Sequence, residues 1–266
     1  MTTQKRTTLA NRPNRQLVTD WVSDHPWLTG LCIIAVLSIP SFFLADQPLA
    51  RFFRSPEAPF KSFFARLDAL GDSSYSLVPS LAGWLIFSYV CRQPDIRMRL
   101  PFDTRRVALQ CAFVFSCVAS SGIAVNILKI LFGRARCVVL FESDTYGFHF
   151  FRLGYDFASF PSGHATTAIA LATALIYLAP RASRWLIPLF IAAAFSRVAV
   201  TAHFLSDVLV GGFLGAWMTW LWREAFRQRG WLFSSDDEPW SSVYTGPFTA
   251  WSTLLRERDP DQSGYR

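Results

Sequence analysis

An all-α membrane protein with six transmembrane helices is the fold class the sequence predicts, and three observations carry the prediction. Apolar residues gather in blocks of about eighteen, close to the ~20 residues that cross ~30 Å of hydrocarbon. The block interiors are almost free of charge, and runs such as LCIIAVLSIPSFFLA and LVGGFLGAWMTWLW lack the polar stripe of a soluble amphipathic helix. Arginines cluster in the connections that a six-span path places on a single side. Composition alone would not decide the class, because 52% hydrophobic residues is only a little above the ~45–50% of soluble proteins.

In chain order the blocks are Trp27–Leu44, Tyr75–Cys91, Val107–Phe132, Gly163–Ala179, Trp185–Thr201 and Asp207–Trp222. The first follows a long polar stretch and lacks a small-x-small cleavage signal, so it is expected to be retained rather than removed as a leader. Lys5, Arg6, Arg12 and Arg15 precede it, and Arg92, Arg97, Arg99, Arg105 and Arg106 separate blocks two and three. Arg181 and Arg184 follow block four, and Arg223, Arg227 and Arg229 follow block six. The positive-inside rule makes that side cytoplasmic. Between blocks one and two, PFKSFFARLDALG sets Phe60, Phe63, Phe64, Leu67 and Leu70 at helical spacing against Lys61, Arg66 and Asp68. It predicts a short amphipathic helix, either lying on the non-cytoplasmic surface or packed as a loop helix.

The chain reads as one domain with tails: 1–26 cytoplasmic, 27–229 the six-span domain, and 230–266 polar, proline-interrupted and cytoplasmic. The +7 charge shows no basic stripe interleaved with aromatics, so no nucleic-acid partner is expected. The five cysteines, Cys32, Cys91, Cys111, Cys117 and Cys137, form no CxxC pair and predict neither a disulfide framework nor a metal site.

Three clusters of ionisable residues interrupt the apolar pattern, each at the end of a block: Lys129 and Arg136, the opening PSGH of Pro161–His164, and Ser196, Arg197, His203 and Asp207. On a six-span path all three fall on the non-cytoplasmic face, where chance would scatter them. A cation near the membrane is costly, up to ~2.5–3.5 kcal/mol at mid-bilayer, so it calls for a partner. No surplus of carboxylates is evident in these clusters, and an external anion is the expected partner of Lys129, Arg136 and Arg197. Together with the free N–H groups that open block four, the three cations form a cradle for a phosphate. Ser162 caps that helix or bonds a phosphate oxygen, and Gly163 admits a close approach. His203 and Asp207 are four apart on one helical face, so Asp207 can orient His203 as a nucleophile, with His164 protonating the leaving oxygen. Taken singly, His-x3-Asp also describes a structural or metal pair, PSGH a plain helix start, and Lys129 with Arg136 a pair of snorkelling cations.

K-x6-R, PSGH and SR-x5-H-x3-D, spanning Lys129 to Asp207, together resemble the three-part signature of the type 2 phosphatidate phosphatase, or lipid phosphate phosphatase, superfamily. The resemblance implies a phosphatase core bundle without a metal or other cofactor. It implies phosphate binding by Lys129, Arg136, Ser162, Gly163 and Arg197, His164 as general acid, His203 as nucleophile and Asp207 orienting it. In that family the first motif usually ends Arg-Pro, whereas Cys137 follows Arg136 here. The expectation is an inner-membrane enzyme, its N-terminus cytoplasmic and its site facing the periplasm or exterior. Its partners would be the bilayer and a lipid phosphate or diphosphate: phosphatidate, phosphatidylglycerol phosphate, undecaprenyl diphosphate or a lipid A phosphate. The rival readings are a lipid phosphotransferase on the same residues and a non-catalytic anion or lipid transporter.

Overall fold

The computed structural model describes residues 25–55 and 61–233. Of the expected tails 1–26 and 230–266, residues 1–24 and 234–266 lie outside the described residues, as does Phe60 of the amphipathic segment. Helix α1 (Pro26–Pro40) opens on proline, runs through a π-helical turn at Ser41–Ala45 and continues as α2 (Asp46–Arg54). The helical path thus extends well past Leu44, where the apolar block ends. Pro40 supplies no amide hydrogen, and the widened turn directly follows it, re-aiming the chain so that Asp46 points inward and is wholly buried.

Helix α3 (Lys61–Leu67) and a 3-10 turn at Asp68–Gly71 lead to α4 (Ser74–Val90). A short α5 (Pro94–Arg97) precedes α6 (Thr104–Phe132), which starts where Asp103 accepts the N–H groups of Arg105 and Arg106. It ends at Gly133, whose φ of 54° is the left-handed cap glycine adopts readily. Then follow α7 (Cys137–Ser143), α8 (Gly163–Leu178), α9 (Ser183–Ala199) and α10 (Leu205–Gln228). Each of the six apolar blocks is therefore largely helical.

Helix α8 is the axis of the bundle and packs against α6, α9 and α10, while α1 lies on α10 and α4 on α6. Its buried positions are all small: Ala165, Thr166, Thr167, Ala168, Ala170, Ala172 and Ala174. Helices in hydrocarbon gain little from merely burying apolar surface, so association relies on close backbone packing, which small residues permit. Gly211 and Gly215 of α10 complete the fit; a Cβ on Gly215 would stand 2.3 Å from the Thr166 carbonyl oxygen.

The outside of the bundle is apolar, with Ile33, Val36, Leu44, Val78, Leu85, Ile123, Ile127, Trp185 and Ile191 exposed. That inversion of a soluble surface fits a hydrocarbon solvent. Among the described residues, three helical stretches are long and apolar enough to cross a membrane, Trp27–Arg54, Thr104–Phe132 and Pro180–Ala199, and Gly163–Leu178 is a shorter apolar helix. The fold is all-helical and membrane-spanning.

Of the two readings of the 60–71 segment, the packed one matches the structure. Helix α3 lies against α9, Phe64 meets Phe195 edge-on at 5.4 Å, and Lys61 Nζ donates to the Phe53 carbonyl at 2.8 Å.

Gly215→Ala should push α10 away from α8 and cost about 1–3 kcal/mol. Thermal unfolding in detergent should show a lowered Tm, and an unchanged Tm would refute the close α8–α10 contact.

Candidate active site

The last turn of α6 carries Lys129 to one end of the bundle, and the Gly133 cap turns the chain back on itself. A Cβ at Gly133 would stand 2.1 Å from the His149 carbonyl oxygen, so glycine is required there for space as well as for its φ. The returning strand of loop is fixed by backbone bonds, Ala135 N to Gly147 O at 3.1 Å and Arg136 N to Asp156 O at 2.8 Å. Arg136 lies with its guanidinium carbon 3.9 Å from the centre of the Tyr155 ring. It is the N-cap of α7, which puts Cys137 at the first helical position. Proline is favoured at that position because the amide there needs no helical partner, so cysteine keeps the same helix start, buried beside Ala50, Leu140 and Phe204.

The PSGH stretch forms the start of α8, with Ser162 as N-cap accepting from Ala165 N at 3.4 Å. Ser162 N donates to the Asp207 carbonyl at 3.1 Å, which joins this helix mouth to α10. A Cβ on Gly163 would stand 3.8 Å from Lys129 Nζ, so a side chain there would enter the space beside the ammonium. His164 backs onto Gly71, where a Cβ would come within 3.0 Å of the His164 Cβ and carbonyl oxygen.

The third wall is the end of α9 and the start of α10. His203 N donates to the Arg197 carbonyl at 3.1 Å. His203 Nδ1 stands 3.7 Å from Asp207 Oδ2, longer than a hydrogen bond, and has no other partner. Burial, opposed by the Asp207 carboxylate, pushes the His203 pKa down to about 4, so the ring is neutral over the physiological range. Asp207 is held by other donors, Arg134 on Oδ1 and Ser159 Oγ at 2.6 Å and Phe204 N at 3.0 Å on Oδ2, and keeps room for one more bond. All eight residues singled out from the sequence, Lys129, Arg136, Ser162, Gly163, His164, Arg197, His203 and Asp207, thus line one end of the bundle.

The charge balance differs from the sequence expectation at one cation. Asp68, from the turn after α3, takes Arg197 Nη1 with both carboxylate oxygens and also accepts from Ser196 Oγ at 3.2 Å. Arg197 therefore has an internal anion, supplied by a segment outside the three clusters. Lys129 and Arg136 make no ion pair among the described residues. The Nε groups of Arg136 and Arg197 are buried without a hydrogen-bond partner. Unsatisfied buried donors of this kind are what an entering oxyanion would pair with.

The most buried cation is Arg134, which the motif spacing does not mark. It bonds Asp46 and Asp207, Ser206 Oγ and Tyr146 Oη, and its guanidinium is ringed by Phe42, Tyr146, Phe148 and Phe204. Asp46 also accepts from Ser206 N at 2.9 Å and from the Ser206 hydroxyl. A lone carboxylate just past an apolar block was the available signal for Asp46; nothing local pointed to its partner.

Cations gathered at a helix mouth, set in an apolar bundle, suit a phosphoryl group. The sequence profile of the PAP2 superfamily matches residues 110–231. A lipid A 1-phosphatase of Rhizobium johnstonii is 31% identical over 215 residues, 80% of this chain and 86% of that protein. One from Rhizobium etli is 36% identical over 129 residues, 48% of this chain and 56% of the relative. Among solved structures, Aquifex aeolicus LpxE is 19% identical with a TM-score of 0.47, covering 67% of this chain and 94% of its own. The PAP2 type phosphatidylglycerolphosphate phosphatase of Bacillus subtilis is 18% identical with a TM-score of 0.48, covering 77% and 97%. The chain belongs to the PAP2 superfamily and, with its relatives, is a phosphatase.

Arg134→Gln should leave Asp46 and Asp207 buried with one cation fewer and cost about 3–5 kcal/mol. Thermal unfolding in detergent is the measurement, and a Tm equal to the parent's would show that the pairing is not structural.

Proposed function

We propose that this chain is an integral membrane lipid phosphatase that hydrolyses a phosphate of lipid A through a phosphohistidine on His203, without a metal ion. The observation that carries the reading is the meeting, at one helix mouth, of three cations, partnerless buried donors and a neutral histidine beside Asp207. The relatives support this substrate, since the Rhizobium johnstonii protein that aligns with 80% of this chain at 31% identity is named for lipid A.

In the proposed reaction the phosphate sits on the N-terminus of α8, held by Ser162, Gly163, Lys129, Arg136 and Arg197. Phosphoryl transfer asks mainly for position and charge stabilisation, and these groups supply both. The Nε2 lone pair of His203 attacks phosphorus while the bond to the lipid oxygen breaks, and protonated His164 gives that oxygen its proton. Asp207 accepts the Nδ1–H bond as His203 becomes cationic, and the 3.7 Å separation shortens as that charge develops. Water then loses a proton to His164 and attacks phosphorus, the N–P bond breaks, and inorganic phosphate leaves. In the proposed reaction no metal ion is required. The cations take the charge-stabilising part.

The proposed setting is the inner membrane, with one six-span domain over 27–229. The tails and N-terminus are cytoplasmic and the site is periplasmic, as the arginine bias supports.

Protein purified in detergent should release phosphate from lipid A with chelator present, and vanadate should stop it. His203→Ala should abolish release, and undiminished turnover would overturn the mechanism. The reaction needs His203 neutral and His164 protonated, so the rate should be bell-shaped in pH. It falls on the acid side towards about 4, where His203 gains a proton and loses its attacking lone pair, and on the alkaline side as His164 loses its proton. Glu142→Cys, at an exposed position in α7, should react with an impermeant thiol reagent in intact spheroplasts. Labelling only after lysis would reverse the topology.

A further inference from the structure

The turn from Phe150 to Tyr155 presents Phe150, Phe151, Leu153 and Tyr155 outward, 63%, 70%, 71% and 72% exposed. Single exposed apolar residues are ordinary on a protein, but a contiguous apolar tip marks a contact surface. The tip is firmly mounted. His149 N donates to Gly133 O, Phe151 N to Leu131 O and Arg152 N to His149 O, all within 3.1 Å. Phe150 stacks on Phe148 at 6.0 Å and leans on Phe132 at 6.1 Å. Phe151 is held at φ 61°, a region a bulky side chain enters at a cost.

The surface beside the tip says what covers it. Ile123, Ile127, Ile130 and Leu131 are exposed along one face of α6, a helix long and apolar enough to cross the membrane. That face meets hydrocarbon, and the tip continues it without interruption through Leu131 and Phe132. At the rim, Arg152 lays its guanidinium carbon 3.8 Å from the Phe157 ring centre, a cation suited to lipid phosphates at the headgroup level. The other end of the turn reaches the cradle, where Tyr155 lies under Arg136 and the Asp156 carbonyl accepts from Arg136 N.

We propose that the 150–155 turn is a bilayer contact, with Phe151 and Leu153 among the acyl chains of the leaflet on the site's side, fixing the cradle at headgroup height. The tip's position in the bilayer stands on geometry alone. Its consequence, a preference for phosphates carried by membrane lipids over soluble esters, rests on the lipid-phosphatase reading.

The test uses the full chain in nanodiscs. Leu153→Cys, in a Cys32→Ser background, carries an environment-sensitive fluorophore, and quenching by acyl-chain doxyl lipids is compared with quenching by aqueous iodide. Strong doxyl quenching with little from iodide is expected, and the reverse overturns the proposal. This readout is independent of turnover, so an inactive protein would sink the functional reading and leave the location decided. In the second arm, Phe151→Ser combined with Leu153→Ser should lower kcat/KM on lipid A in vesicles by about tenfold, through KM, because apolar area in the bilayer sets interfacial affinity. Turnover of p-nitrophenyl phosphate in detergent should match the parent. Equal loss on both substrates would assign the tip a structural role and overturn the proposal.

Discussion

One buried cation holds the active end of this bundle together. Arg134 is wholly enclosed between Asp46 and Asp207, and each carboxylate belongs to a different long helical path. A guanidinium in such surroundings needs most of its donors engaged. The two Nη groups of Arg134 go to two carboxylates, a serine and a tyrosine, four aromatic faces surround it, and its Nε is left without a partner. The Asp207 carboxylate beside His203 opposes the effect of burial on the ring without overcoming it. The position of Asp207, and through it of the proposed nucleophile, is thus set from α2 and the loop after α6, well before the chain reaches α10.

The cradle itself is made of ends. Lys129 closes α6, Arg197 closes α9, the Ser162 cap opens α8 and Asp207 opens α10. The N-terminal ends of α8 and α10 bring backbone N–H groups and the C-terminal ends of α6 and α9 bring cationic side chains, without breaking any helix inside the membrane. The all-small buried face of α8 and Gly211 and Gly215 of α10 allow the approach that brings those ends together. Packing and chemistry are therefore one requirement: a wider bundle would also be a looser cradle.

The sequence displayed what repeats along a helix and hid what bridges between distant segments. The apolar blocks became helices because hydropathy over about eighteen residues is a local property. The three motifs met because block ends on one side of a bundle must be neighbours. By contrast, Arg134 and Asp46 are 88 residues apart and Arg197 and Asp68 are 129 apart, and no spacing rule joins them. The helical segment after α2 was visible as amphipathic, but its partner was not, because its apolar face fits a bilayer surface or α9 equally well until Phe64 is seen against Phe195. The extension of α1 past Leu44 was hidden by the charged residues of α2, which lower its hydropathy although it continues the same helical path.

The turn at Asp68–Gly71 touches the site twice, through Asp68 on Arg197 and through Gly71 against His164. It carries none of the motif residues and is joined to the chain by segments that make none of the cradle. A change of length or shape in this one arm would shift Arg197, a proposed phosphate ligand, and the proposed acid in concert, leaving Lys129, Arg136 and the His203–Asp207 wall in place. On the proposed mechanism, the spacing between the phosphate and the leaving oxygen can therefore be retuned from outside the motifs, with His203 and Asp207 held constant.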